Sequence, residues 1–302
     1  MIHFRIVMVF LFLIMTACNL PDASSGIKGV SEINQENLLP NVTIVVASYD
    51  KRHDYHEFLY ESFKKQDYKG KVNLLIYDNG EKPSPFFSSL VDNNVRYEHT
   101  TKTPIELSLG AKRNWLADNA DGDVIVVWDD DDFYGENYVS FMVKTLVDNK
   151  AHLVKPVKWL MGHFNQSGDA LGYHMVKPNH TKIGWGFGFC YKKLVMNKCR
   201  YANLNRVEED YLAECIDKNK EYKIIWQEWE PLNQQPIQLK FESSAPHNTN
   251  GPWITRFQEL YMANGSRHPE SNAITINEIE SQFSQKKLLN KYIEKYFAAG
   301  KK

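Results

Sequence analysis

The sequence predicts an α/β fold: a doubly wound, mostly parallel sheet flanked by helices, followed by a more irregular second half. Three observations carry this. Apolar, β-branched runs recur at 42–47 (VTIVVA), 72–77 (VNLLIY) and 124–128 (VIVVW). Such near-continuous runs mark strands buried on both faces of a parallel sheet. Stretches with helical spacing lie between them, as at 107–119, where Leu107, Ala111, Trp115 and Leu116 share one side. Turn signals, Asp78-Asn79-Gly80 and Asp121-Gly122, close the segments. Strand–helix alternation of this kind folds with right-handed crossovers.

Taken in order, Asp54 stands where it can cap a helix over 55–65, and 84–92 suits a short helix. A third strand fits 95–98, and a helix through 138–147 follows the run Asp129-Asp130-Asp131-Asp132. Beyond 151 the pattern loosens. Extended pieces at 152–160 and 222–229 flank a Gly/aromatic segment, GWGFGF at 184–189, and a helix begins near Val207. The tail has helical spacing over 276–299, and no internal repeat is visible.

The N-terminus is set apart from this domain. Arg5 precedes an uninterrupted apolar stretch, Ile6 to Met15, and then Thr16-Ala17-Cys18. That is the layout of a secretory signal, and Ile14 to Cys18 also resembles a bacterial lipoprotein box with Cys18 as the lipidated residue. We therefore divide the chain into a signal peptide or membrane anchor (1–18), a flexible polar stem (19–40), the folded domain (41–262) and a helical tail (263–302). The expected location is membrane-tethered through the N-terminus, exported or lumenal: Golgi or ER in a eukaryote, lipoprotein-like in a bacterium.

Charge excludes one class of partner. The 302 residues hold 36 basic and 37 acidic side chains, a net charge of −1, without the basic excess of a nucleic-acid binder. Of four cysteines, three follow the stem (Cys190, Cys199, Cys215) with no CxxC pair. That argues against a zinc site or disulfide scaffold; buried free thiols are the default, and Cys190–Cys199 is the bridge considered.

Ligands of such sheets bind beyond the carboxyl ends of the strands. Three polar sets fall there: Ser48-Tyr49-Asp50, Asp78-Asn79 and Asp129 to Asp132. An acidic block is usually a solvated face, but this one abuts VIVVW and runs straight into Phe133-Tyr134. Along an extended segment side chains alternate, which places Asp129 and Asp131 on one side and Asp130 and Asp132 on the other. Crowded carboxylates repel and raise one another's pKa, and a hard cation such as Mg²⁺ or Mn²⁺ relieves that.

With these residues in view, 42–250 resembles a family 2 glycosyltransferase of the nucleotide-sugar-binding GT-A fold. The matching pieces are VTIVVASYDKR (42–52), LLIYDNG (74–80), LGAKRNWLADNADGDVIVVWDDDDFY (109–134) and VEEDYL (207–212). The third is the specific one. The resemblance implies sugar transfer from a nucleotide-diphosphate sugar to a hydroxyl of a glycan, lipid or protein acceptor, inverting and metal-dependent. It places Ser48, Tyr49, Lys112 and Arg113 near the nucleotide, and gives Asp78 the base. Asp129 and Asp131 match the DxD motif, with Asp131 the direct ligand of Mn²⁺ or Mg²⁺ and Asp129 or Asp130 near the ribose. Asp210, paired with Glu209, matches the acceptor-activating base, although acids in a first helical turn also stabilise their own helix. His247 resembles a late histidine near the diphosphate or metal. Two other readings remain: a binding-only relative that holds a nucleotide sugar or glycan without turnover, and a nucleotidyltransferase, which normally has the Gly-rich loop that SYDKRHDY lacks.

Overall fold

The computed structural model describes residues 39–157 and 188–227, together with the strands at 159–164, 170–176 and 238–242. These belong to one compact unit, Gln35–Lys302. The expected signal, most of the stem, His247 and the tail helix lie outside the described residues. Among the described residues no helix is long and apolar enough to cross a membrane.

The strands are β1 (Val42–Tyr49), β2 (Val72–Asn79), β3 (Val95–Thr100), β4 (Val124–Trp128), β5 (Phe133–Tyr134), β6 (Leu153–Pro156), β7 (Trp159–Phe164), β8 (Ala170–Val176), β9 (Cys190–Lys192), β10 (Ile224–Gln227) and β11 (Gln238–Glu242). The helices are α1 (His56–Lys64), α2 (Pro85–Ser89), α3 (Leu109–Asn119), α4 (Tyr138–Asp148) and α5 (Glu208–Lys218). Seven strands form the main sheet in the order β10-β6-β9-β4-β1-β2-β3. Its pairs are parallel except at β9, which runs antiparallel to both β4 and β6. A second sheet, β5-β11-β7-β8, joins three strands of the irregular half to β5.

Both faces of the main sheet are buried, which explains the unbroken apolar runs. Alternate residues of β1 and β4 separate cleanly. Ile44, Val46, Val126 and Trp128 pack with Leu59, Tyr138 and Met142 on the α1/α4 face. Val45, Ile125 and Val127 pack with Leu116, Leu212 and Ile216 on the α3/α5 face.

Helix starts follow local chemistry. Ser108, not Leu107, begins α3, accepting the Ala111 N–H at 3.1 Å as an N-cap. A 3₁₀ turn over Asp50–Tyr55 precedes α1, so Asp54 does not cap it; Tyr55 holds that place without a side-chain bond. Gly110 lets α3 approach the 201–207 loop closely: a Cβ there would lie 1.7 Å from the Ala202 carbonyl oxygen. The loop is fixed by Gly110 N–H donating to Leu204 O (2.9 Å), Ser108 Oγ–H to Asn203 Oδ1 (2.5 Å) and Leu109 N–H to Asn205 Oδ1 (2.8 Å). It ends at Val207, with φ of 56°, a left-handed conformation that strains a β-branched residue by roughly 1–3 kcal/mol.

The cysteine expectation is corrected. The bridge is Cys199–Cys215, with Cα atoms 5.6 Å apart, joining the approach to the loop with α5. Cys190 lies free and buried on β9. Its side chain belongs to the α1/α4 face and Cys199 to the opposite one, so the sheet separates them.

Candidate functional site

The carboxyl ends of β1, β2 and β4 converge as the sequence implies, but the aspartate run is not one extended piece. It turns at Asp130-Asp131-Asp132. Asp130 and Asp132 are buried while Asp129 and Asp131 are half-buried, so the predicted alternation holds for burial. The turn nevertheless brings a carboxylate oxygen of Asp132 to the side of Asp129 and Asp131. One oxygen from each of the three lies within 4.8 Å of the others. The expected set of Asp129, Asp131 and His247 thus gains Asp132. Hard oxygen donors at this spacing fit a Mg²⁺- or Mn²⁺-type cation.

Asp130 turns the other way. Ser48 Oγ–H donates to its Oδ2 at 2.6 Å. Burial, with Asp131 and Asp129 alongside, outweighs the Arg52 charge and raises its pKa to about 7. Behind Ser48, His56 Nε2 lies 2.8 Å from Ser48 Oγ, and His56 Nδ1 lies 2.7 Å from Ser84 Oγ. Burial, then the neighbouring His53, depresses His56 to about 3, so its ring is neutral.

Two arginines supply counter-charge. Arg52, from the 3₁₀ turn after β1, pairs with Asp131 and lies over the rings of Tyr49 and Tyr55 at 5.6 and 5.8 Å. Burial pulls its pKa down, but Asp131 and Asp130 more than compensate and hold it above the ordinary value. Arg113, expected near the nucleotide, bridges three acids. Its guanidinium reaches Asp129 (3.6 Å), Glu208 (2.5 Å) and Glu209 (3.4 Å), joining β4 to the first turn of α5.

Lys112, one residue earlier, ties strand ends together. Its ammonium donates to Ser48 O at 2.6 Å and Asn79 Oδ1 at 2.7 Å. Burial lowers its pKa to about 8, an effect opposed by Asp130 and Asp78. Asp78 is fully buried at the end of β2. Its Oδ2 accepts from Tyr97 Oη–H at 2.5 Å and lies 2.8 Å from His53 Nε2, while its Oδ1 has no partner. An orphaned buried acceptor fits the expectation that Asp78 meets an N–H of a base.

At α5 the three acids differ. Glu208 is buried against Arg113, and burial raises its pKa to about 7 despite that pairing. Glu209 shares the same arginine. Asp210 is partly exposed, and burial, Glu209 and then Glu214 raise its pKa.

Sequence reasoning missed Asp132, Arg52, His56, Ser84 and Glu208. Arg52 lies inside the quoted SYDKR segment, and its charge beside an acidic strand end was the available signal. His56 and Ser84 carry no motif.

A carboxylate cluster beyond the carboxyl edge of a mostly parallel sheet stands where such sheets bind their ligands. Residues 43–162 match glycosyl transferase family 2, and the described residues have a fold of the GT-A type. Among solved structures it is similar to the mannosyltransferase PcManGT from Pyrobaculum calidifontis in complex with GDP-Man and Mn²⁺. That similarity has a TM-score of 0.51 at 14% identity, over 88% of this chain and 75% of the other. S. aureus TarS 1–349 in complex with UDP gives 0.48 at 13% identity, over 85% and 72%. Only the first carries the fold comparison. No curated protein matches the chain.

Proposed function

We propose that the chain transfers a sugar from a nucleotide-diphosphate sugar to an acceptor hydroxyl, with inversion and with the help of a divalent cation. The observation that carries this is the convergence of Asp129, Asp131 and Asp132 at the end of β4. The Mn²⁺ and GDP-Man of the Pyrobaculum calidifontis enzyme support the same reading. Held by these carboxylates, Mn²⁺ or Mg²⁺ would supply positive charge against the departing diphosphate.

The other roles fall to the chain's own residues. Ser48 and Tyr49 border the nucleotide at the end of β1, and Asp78 Oδ1 accepts from the base. Lys112 fixes the ends of β1 and β2 beneath it. Arg52, whose charge sits beside Asp131, adds positive charge on the diphosphate side. His247 is assigned to the diphosphate on the resemblance alone. Asp210 accepts the acceptor's hydroxyl proton as that oxygen attacks the anomeric carbon. Its raised pKa favours taking the proton, and its exposure leaves it accessible. Glu208, buried against Arg113, anchors the turn, and Glu209 stands between them.

Location follows the same logic. A bridge such as Cys199–Cys215 forms and persists in oxidising compartments, which supports an exported or lumenal enzyme tethered by its N-terminus. The acceptor is a glycan, lipid or protein hydroxyl. Inversion is tested by NMR of the anomeric proton in the first-formed product. The opposite configuration to the donor is expected; retention overturns the single-displacement scheme.

A further inference from the structure

We infer that His56 is a positioning residue of the cation site, acting through Ser48 on the turn that carries Asp131 and Asp132. This rests on the cation reading above. The donor and acceptor directions are fixed by the partners. Ser48 spends its one proton on Asp130 (2.6 Å), so its oxygen must accept from His56 Nε2–H at 2.8 Å. The neutral ring then carries no proton on Nδ1, which accepts from Ser84 Oγ–H at 2.7 Å. Ser84 Oγ in turn accepts the Phe87 N–H at 3.3 Å as the N-cap of α2. The hydrogen bonds linking Ser84, His56, Ser48 and Asp130 Oδ2 therefore run in one direction.

The consequence lies at the far end. A carboxylate held inward by a hydroxyl cannot swing out to join its neighbours. Asp130 is held inward at the point where the chain turns, and that turn sets Asp131 and Asp132 beside Asp129 within 4.8 Å. His56 itself is fully buried, packed on Phe87 with ring centroids 4.8 Å apart, and touches none of the three. An apolar ring would fill its space; only its N–H toward Ser48 bears on the aspartates. Residues that orient ligating carboxylates typically change metal affinity about 10–100-fold when removed.

The test is Mn²⁺ binding by the full chain, read from the EPR signal of free Mn²⁺, with thermal melting recorded for each variant. His56→Phe is expected to weaken Mn²⁺ about tenfold, and Ser48→Ala to do the same. The double variant should be no worse than either single one, because both break one chain. His56→Gln, which keeps an N–H toward Ser48, should recover most of the affinity even if its melting temperature stays as low as that of His56→Phe. Wild-type affinity in His56→Phe, or losses that add in the double variant, would overturn the inference. Failure of the wild-type chain to bind Mn²⁺ would overturn the cation reading itself.

Discussion

Arg113 on α3 and Glu208 at the start of α5 form a buried ion pair that joins the two acidic parts of the site. The same guanidinium reaches Asp129 at 3.6 Å, so the acids at the end of β4 and the first turn of α5 share one cation. Removing one member of a buried pair strands the other charge and typically costs about 3–5 kcal/mol. Arg113→Met should therefore lower the urea unfolding free energy by about that amount. Arg113→Met with Glu208→Met should lose less than the sum of the single changes. Additive losses would mean the two side chains are independent.

Asp210 separates binding from chemistry. Asp210→Asn should leave donor affinity within about twofold of wild type, while transfer falls by about 10²-fold or more. Donor affinity is read by calorimetry and transfer by product formation. Transfer at the wild-type rate would move the base elsewhere.

Acid should unfold this protein partly through His56. Its folded pKa, near 3, lies below the ordinary 6.5, so the unfolded chain takes up a proton that the folded one refuses. That contribution to stability is fully present above pH 6.5 and is lost as pH falls toward 3. The slope reaches up to about 1.4 kcal/mol per pH unit from this one group. Urea titrations from pH 7 to 4 should show a shallower acid limb in His56→Gln than in wild type. Equal slopes would place the acid sensitivity in other groups.

The Cys199–Cys215 bridge spans 16 residues, and closing a loop of that size stabilises by roughly 3 kcal/mol in the chain-entropy account. Cys199→Ser with Cys215→Ser should lower stability by about that amount, and dithiothreitol should do the same to the native chain. Cys190 is buried on the other face, and Cys190→Ala should leave the response to dithiothreitol unchanged.

Gly110→Ala should be among the most damaging small substitutions, because its Cβ would meet the Ala202 carbonyl oxygen at 1.7 Å. Either α3 or the 201–207 loop must move, and the loop leads into Glu208 to Asp210. A fall in both melting temperature and turnover is expected; wild-type values for both would show that the contact is relaxed at no cost.

The parallel core was legible because β1, β2 and β4 are buried on both faces, and only apolar β-branched runs satisfy that. The acids at their ends were legible because the sheet dictates where a ligand sits. Other features depended on tertiary contact and left no periodic trace. Asp132 joins Asp129 because the chain turns at Asp130, whose carboxylate is bonded by Ser48 from a distant strand. Arg113 was expected near the nucleotide; its partners Glu208 and Glu209 lie 95 and 96 residues away, beyond any local pattern. Free thiols were the default and Cys190–Cys199 the bridge considered, because spacing alone does not reveal which face of the sheet a cysteine occupies; the bridge is Cys199–Cys215. The short β5 and β9, which complete the sheets, are too brief for any alternation to register.

The central claim is tested most directly by incubating the purified chain with UDP-, GDP- and CMP-sugars, with and without Mn²⁺, and measuring release of the nucleotide. The account predicts that at least one donor is turned over only with Mn²⁺, and that Asp131→Ala abolishes this. Absence of binding or turnover for every donor, with or without the cation, would contradict it.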